Sequence, residues 1–264
     1  MTENVCSNNK QVRSGYPPAD SRSIFGLNIA AMKQDEAVAL LERRIREESH
    51  VRLAFVNANL ANMACEDRQL HRMLDHFILL NDGAGLNIAS RILYGKPFPA
   101  NLNGTDFTPY FLDQCSTPLN VFLLGAQPEI ISRAAEIFIH RWPQHNLAGY
   151  QDGFFTQASE DRVFATIKAA KPHLLLVAMG NGLQERLVDR LVPDASLSAW
   201  GVGALFDFWA GKAQRAPLWM RRLHIEWVYR LMAEPKRMWK RYILGNPKFI
   251  LRVMRERYFQ TRIQ

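Results

Sequence analysis

Three loops place polar or glycine residues directly after apolar runs, and these loops are where the chain could do chemistry. The first is the segment 81–85, NDGAG, which follows Leu79 and Leu80 and precedes an apolar helical pattern. Its glycines let the backbone approach a ligand closely, and the N-terminus of the next helix favours anions. The carboxylate of Asp82 is therefore suited to act as a general base. The spacing leaves a second interpretation open, in which Asp82 only caps the helix.

The other two loops are glycine turns. Gly125 ends an apolar run, a pattern typical of an ordinary strand-to-helix connection. Gly180 lies in the segment 179–185, MGNGLQE, which also contains Gln184 and Glu185 and whose two glycines beside exposed amides suit a phosphate or a nucleoside. Neither loop has the G-K-[ST] ending of a P-loop, and the chain has no G-x-G-x-x-G, so we expect no dinucleotide cofactor.

Motifs that would hold a metal or a serine nucleophile are missing from the sequence. The seven histidines show no H-E-x-x-H spacing, and the chain has neither a G-x-S-x-G segment nor a D-x-D pair. We therefore expect no metal and no cofactor. A diphosphate leaving group would then depend on cationic side chains and helix dipoles.

Those cations are concentrated in the last fifth of the chain. Residues 212–264 hold fourteen Lys and Arg against three Glu, a local net charge of +11 where the whole chain carries +8. Aromatic residues and apolar residues at helical spacing interleave with the charges between His224 and Arg241, and Pro235 is placed to start a second helix. The pattern suits a helix pair on an anionic bilayer, or a tail that packs on the protein's own core. Nucleic acid fits the charge, but no recognition motif is present, and we expect none to bind.

The elements that must position these residues alternate between strand and helix. Seven apolar runs predict strands: Ser23–Ile29, Arg52–Asn57, Phe77–Asn81, Asn120–Leu124, Asn146–Tyr150, His173–Met179 and Leu197–Trp200. Six amphipathic stretches predict helices: Asp35–Glu47, Leu60–Leu74, Leu86–Leu93, Glu129–Trp142, Glu160–Ala170 and Gln184–Leu191. This alternation predicts an α/β fold, a mostly parallel sheet flanked by helices, with ligands at the carboxyl ends of the strands.

The composition divides the chain into three parts. Residues 1–22 are polar and lack the apolar core of a secretory signal, which predicts a disordered leader. Residues 23–211 form the predicted α/β body, and 212–264 form a basic, aromatic helical appendage. Three widely spaced cysteines favour a reducing compartment. No apolar run reaches the length of a membrane span.

Several segments, in this order, resemble the WecG/TagA/CpsF glycosyltransferases (glycosyltransferase family 26). The matching segments are 81–85 (NDGAG), 151–155 (QDGFF), 177–180 (VAMG) with 184–185 (QE), 201–208 (GVGALFDF), 210–212 (AGK), 215–219 (RAPLW), 226–231 (EWVYRL) and 234–237 (EPKR). The resemblance runs from about Ser23 to Tyr242. Any one segment alone would not be specific, but the ordered combination is.

The resemblance implies a Rossmann-like, inverting, metal-independent enzyme. It would move a sugar from a UDP-sugar to a polyprenyl-diphosphate-linked saccharide, as a peripheral protein on the cytoplasmic face of the inner membrane. Carried over by position, Asp82 matches the catalytic base. The matched substrate-binding positions are Asn57 and Asn59 on the substrate-lining segment, Gly180, Gln184 and Glu185 on a strand-end loop, and Arg230 and Arg237 with Lys240 or Arg241 in the appendage. We add Gly125, in the other glycine turn at a strand end, as a predicted substrate-binding residue.

Two departures from the family pattern bear on the substrate. Gly182 and Leu183 stand where the family commonly has Pro-Lys before Gln-Glu, and Ala61 stands where a Glu is common. On the first departure we predict glucose as the transferred sugar, in exopolysaccharide assembly. The alternative is N-acetylmannosamine, or its uronic acid, transferred to a lipid-linked N-acetylglucosamine. A non-enzymatic interpretation, a membrane-binding scaffold, also fits the tail.

Overall fold

The computed structural model of the protein describes residues 20–47, 51–192, 197–217, 219–220 and 226–263, without the side chains of residues 157, 237 and 263. The strands are β1 (Ser21–Ile24), β2 (Leu27–Ala30), β3 (Val51–Val56), β4 (Ile78–Asn81), β5 (Asn120–Gly125), β6 (Asn146–Gln151), β7 (Leu174–Ala178) and β8 (Ser198–Gly201). The helices of the first 214 residues are α1 (Gln34–Arg46), α2 (Ala58–Glu66), α3 (Arg68–Leu74), α4 (Ala84–Tyr94), α5 (Gly104–Gln114), α6 (Pro128–Arg141), α7 (Gln157–Ala170), α8 (Leu183–Leu191) and α9 (Leu205–Trp209). The tail contains α10 (Glu226–Ala233), α11 (Pro235–Trp239), a π-helical turn (Lys240–Leu244) and α12 (Gly245–Ile263).

The described strands form one sheet in the order β1-β2-β4-β3-β8-β7-β5-β6. The β1–β2 pair is antiparallel, and the registered pairs β2–β4, β3–β8, β8–β7, β7–β5 and β5–β6 are parallel. Every residue of β4 and β7 is buried, as expected for strands covered on both faces. The predicted α/β fold with a mostly parallel sheet is confirmed.

Three element predictions were wrong, each for a local reason. The single strand predicted over Ser23–Ile29 is a hairpin, because Phe25 and Gly26 take positive φ angles of 55° and 81° and reverse the chain. The single helix predicted over Leu60–Leu74 is broken at Asp67, whose side chain accepts hydrogen bonds from the backbone of the next turn and caps α3. Helix α5 was missed, because Pro109 in its middle weakens the helical signal.

The chain divides into two compact units, and the predicted residues are distributed over both. Unit 1 comprises residues 1–32, 55–102 and 215–264, and unit 2 comprises residues 33–54 and 103–214. The leader, the body and the appendage remain predictions as domains. Residues 1–19 of that leader lie outside the described residues.

In unit 1, α12 packs against both α2 and α4. Phe249 is 1% exposed and meets the ring of Phe25 edge-on, with 5.3 Å between ring centroids. Asn62 donates to the backbone oxygen of Gly245 at 2.8 Å, and Arg252 donates to the side-chain oxygen of Asn62 at 2.8 Å. Lys248 and Arg252 also form ion pairs with Glu66 at 2.9 and 3.0 Å. The last helix is thus fixed to the two helices that begin after β3 and β4.

The tail packs on the rest of unit 1, which is one of the two arrangements that its sequence allowed. The predicted second helix does begin at Pro235, while His224 lies outside the described residues. Along α12, Phe249 and Val253 are buried, whereas Leu251 and Met254 are 70% and 54% exposed. Among the described residues, no helix is both long enough and apolar enough to cross a bilayer.

Candidate functional site

Asp82 lies at the carboxyl end of β4, and its backbone is held in place on both sides. Its amide donates to the oxygen of Val56 at the end of β3, at 2.7 Å. The next amide, of Gly83, donates to the side-chain oxygen of Asn101 at 2.8 Å. Gly83 has a φ of 87° and is the N-cap of α4, which receives no side-chain hydrogen bond. The residue at the N-cap position of α4 is therefore Gly83 and not Asp82.

Asn57 links the end of β3 to this carboxylate. It is the N-cap of α2, and its Oδ1 accepts from the amides of Asn59 and Leu60, at 3.1 Å each. Its Nδ2 donates to Oδ2 of Asp82 at 3.2 Å. Two side chains that are 25 residues apart in sequence meet because β3 and β4 are neighbours in the sheet.

The charges around Asp82 act in opposite directions on its acidity. Burial raises the pKa of this half-buried carboxyl above its usual 3.8. The hydrogen bond from Asn57 and the positive charges of Arg241 and Arg230 lower it, and the negative charge of Glu226 raises it, but burial prevails. A carboxylate whose proton affinity is increased in this way, with cations beside it, can take a proton from a substrate.

The cations come from the tail. Arg230 on α10 approaches Glu226 at 3.7 Å, and Arg215 approaches the same carboxylate oxygen at 3.5 Å. Arg241, in the π-helical turn, is the charge with the largest effect on Asp82. Lys240 is exposed, with Nζ 5.7 Å from the centroid of the Trp239 ring. The backbone of Arg237 lies in α11, and its side chain lies outside the described residues.

In unit 2, Gln184 and Glu185 hold two loops at the carboxyl ends of β7 and β8. Oε1 of Gln184 accepts from the amides of Gly180 and Gly203, at 3.2 and 3.1 Å. Glu185 accepts from the amide of Gly182 at 2.5 Å and from Nε2 of Gln184 at 2.8 Å. Both side chains are almost fully buried, and burial raises the pKa of Glu185 to about 7 against these hydrogen bonds.

The remaining predicted positions have simple surroundings. Gly125 is buried with a φ of 120°, and a side chain there would place Cβ 2.3 Å from the oxygen of Ala178, so only glycine fits this approach. Gly180 is exposed, with a φ of 87°. Asn59 is half-buried in the first turn of α2 and contacts the sulfur of Met63 at 3.4 Å.

Two residues of the Asp82 surroundings were missed or only half found from the sequence. Asn101, which orients Gly83, follows no motif and lies 18 residues away from it. Arg241 appeared only as the alternative to Lys240. The two residues are adjacent in the π-helical turn, so a match by position can select either of them.

Comparison with known proteins identifies the group to which the chain belongs. The profile described as "Glycosyl transferase WecG/TagA/CpsF family" matches residues 22–263. The chain is a member of this family.

Two relatives carry the same name, N-acetylglucosaminyldiphosphoundecaprenol N-acetyl-beta-D-mannosaminyltransferase. The one from Bacillus subtilis (strain 168) is 32% identical over 211 residues, covering 77% of this chain and 79% of the relative. The one from Bacillus spizizenii (strain ATCC 23059 / NRRL B-14472 / W23) is 34% identical over 181 residues, covering 67% and 68%. The family member described here is accordingly a glycosyltransferase.

Proposed function

We propose that this glycosyltransferase moves an N-acetylmannosaminyl residue from a UDP-linked donor to a saccharide carried on a polyprenyl diphosphate, with Asp82 as the base. The observation that carries the proposal is the carboxylate of Asp82 at the end of β4, hydrogen-bonded by Asn57 and under the charges of Arg241 and Arg230. The names of the two relatives favour the N-acetylmannosaminyl alternative over the glucose that we predicted from residues 182–183.

The proposed step is a single displacement. Asp82 takes the proton of an acceptor hydroxyl as its oxygen forms a bond to the anomeric carbon of the donor. The bond from that carbon to the diphosphate breaks on the opposite face, UDP leaves with the bonding electrons, and the configuration is inverted. General-base assistance of this kind contributes about 10² to 10⁴ in rate.

The cations of the tail would stabilise the diphosphate charge. The positive charges of Arg241 and Arg230 lower the pKa of Asp82, which supports their place near it. We include Arg237 and Lys240 as predicted ligands on the resemblance alone. Fixed positive charge at the point where negative charge develops is usually the largest contribution to such a reaction.

The donor nucleotide is assigned to the loops of unit 2. We propose that the backbone around Gly180 and Gly125 binds it, and that Gln184 and Glu185 act by fixing the shape of the loop. Asn59 remains a predicted contact to the substrate.

We further propose that the tail lies on the cytoplasmic surface of the membrane in which the acceptor lipid resides. In support, Trp219 is 59%, Met232 76% and Leu251 70% exposed, on a tail with a net charge of +11. Apolar side chains among cations suit an anionic lipid surface. Flotation with vesicles that contain anionic lipid tests this part, and equal recovery with neutral vesicles would contradict it.

The function itself is tested with a panel of donors. UDP-N-acetylmannosamine, its uronic acid and UDP-glucose are each incubated with an N-acetylglucosaminyl-diphosphate carrying a short prenyl chain, and the products are identified by mass spectrometry. We expect transfer from UDP-N-acetylmannosamine. Transfer from UDP-glucose alone would return the assignment to our first prediction, and UDP release without any glycosylated lipid would contradict the acceptor.

A further inference from the structure

Both polar atoms of the Asn57 side chain form hydrogen bonds within the protein, unlike those of a side chain whose partner is a bound sugar. Its oxygen accepts from the amides of Asn59 and Leu60, and its nitrogen faces Asp82. Because two N–H groups require an acceptor, the carboxamide can be oriented in only one way, with Nδ2 toward the carboxylate. The start of α2 therefore fixes the direction in which Asn57 donates.

The backbone reinforces this link. The amide of Asp82 donates to the oxygen of Val56, the residue before Asn57, at 2.7 Å. Asp82 is thus bound to the β3–α2 junction twice, once through its main-chain amide and once through its carboxylate. A carboxyl group that carries a proton only transiently needs such a fixed donor to keep one oxygen oriented while the other reacts.

We propose that Asn57 is a positioning residue that acts through Asp82, donating to Oδ2 so that Oδ1 is presented to the acceptor hydroxyl, rather than a ligand of either sugar. This inference rests on the proposed function, because it assigns a role within that site. It replaces the substrate contact that we expected from the resemblance.

The hydrogen bond from Asn57 should lower the pKa of Asp82. A hydrogen bond donated to the ionised carboxylate favours the ionised form, and it opposes the effect of burial at Asp82. Removing the donor therefore raises the pKa of Asp82. An Asp82 with a higher pKa is ionised over a narrower range of pH, and turnover on the acidic side falls.

The chain offers a matched control at the other end of α2. Asp67 caps α3 with the same geometry, since its Oδ1 accepts from the amides of Gln69 and Leu70 at 2.9 and 3.0 Å. We expect Asn57→Ala and Asp67→Ala to lower the Tm by a similar amount, about 2–4 °C, because each removes one N-cap. Only Asn57→Ala should lower kcat, by about tenfold, with little change in KM for donor or acceptor.

A second variant separates the cap from the donor. Asp is as good an N-cap as Asn, so Asn57→Asp keeps the stability of α2. It also replaces the donor by a second negative charge beside Asp82, so the pKa of Asp82 should rise further than in Asn57→Ala. Its kcat should fall at least as far, although the N-cap of α2 is kept.

The deciding measurement does not depend on activity. The carboxyl carbons of ¹³C-labelled aspartate are titrated by NMR in the full-length protein, with Asp82→Asn used to assign the signal. We expect the pKa of Asp82 to rise in the order wild type, Asn57→Ala, Asn57→Asp, and to stay unchanged in Asp67→Ala. Equal pKa values in all four proteins, or a loss confined to KM, would overturn the proposal. If the pKa values shift as expected but no sugar is transferred from any donor of the panel, the positioning role stands and the proposed function fails.

Discussion

Asp82 in unit 1 and Glu185 in unit 2 are both acids that burial makes weaker, and they differ in what surrounds their oxygens. Glu185 is fully buried, and each of its oxygens accepts a hydrogen bond from a neighbour in the chain. Asp82 is only half-buried, accepts from Asn57, and lies under the charges of Arg241 and Arg230. If Asp82 is the base, as we propose, a raised pKa alone does not identify a catalytic acid or base. Partial exposure and nearby positive charge would then be the distinguishing features.

The largest expected effect separates the two carboxylates by activity. We expect Asp82→Asn to reduce kcat by about 10² to 10⁴ while leaving the Tm within about 2 °C of the wild type, because only the base is lost. Turnover of the lipid-linked acceptor and a thermal melt measure both quantities. A variant that folds normally and keeps wild-type turnover would remove Asp82 from the mechanism.

The second prediction concerns Glu185 and pH. Its pKa is 4.5 in the unfolded chain and about 7 in the fold, so between these values only the folded protein keeps the proton. The stability that this group contributes is therefore complete below pH 4.5 and is lost as pH rises through 7, by up to about 3 kcal/mol. Glu185→Gln cannot ionise, so its free energy of unfolding should improve relative to wild type between pH 5 and pH 8, as measured with denaturant.

Glu42 provides a control for that measurement, because its pKa is shifted in the opposite direction. Burial tends to raise the pKa of Glu42, but hydrogen bonds from Ser116 and Thr117 outweigh it and the pKa lies below the usual 4.5. The stability from Glu42 is thus present above pH 4.5 and is lost as pH falls through its lowered pKa, so Glu42→Gln should run parallel to wild type between pH 5 and pH 8. Parallel curves for Glu185→Gln as well would show that Glu185 is ionised throughout this range in the fold.

The third prediction asks whether Gln184 supports the loop or binds the nucleotide. Gln184→Ala removes the acceptor of two hydrogen bonds, from the amides of Gly180 and Gly203, and we expect a loss of about 2 kcal/mol in unfolding free energy. KM for the donor, measured at a temperature well below the lowered Tm, should stay close to the wild-type value. A large rise in KM at normal stability would instead make Gln184 a direct ligand.

The smallest effect compares two adjacent cations of the tail. We expect Arg241→Ala to reduce kcat by about tenfold and to move the acidic limb of the pH–rate profile upward, because a charge that favours ionised Asp82 is removed. Lys240→Ala should have a smaller effect on both. The reverse ranking would restore Lys240, the residue that the resemblance selected.

Periodicity and strand-end position predicted most of the fold and only part of the site. Apolar runs such as Leu174–Ala178 identify buried strands, and Asp82 could be found because it ends one of them. The contact of Asn57 with Asp82 could not be predicted, since it depends on which strands are neighbours. Gln184 and Glu185 were predicted as substrate contacts from the resemblance, and their burial could not be predicted because it depends on tertiary packing.

The contacts between α12 and α2 limit the changes in the length of α2 that evolution can accept. Helix α2 has nine residues, about 13 Å, with Asn57 capping its start and with Asn62 and Glu66 held by α12 toward its end. Inserting one residue would turn everything beyond it by about 100° and shift it by about 1.5 Å, so Asn62 and Glu66 could not keep their partners while Asn57 kept Asp82. The length of α2 therefore sets the distance between the proposed base and the C-terminal helix. We expect homologues that keep both the Asn57–Asp82 contact and the contacts of α2 with α12 to tolerate substitutions in α2 but no insertions or deletions.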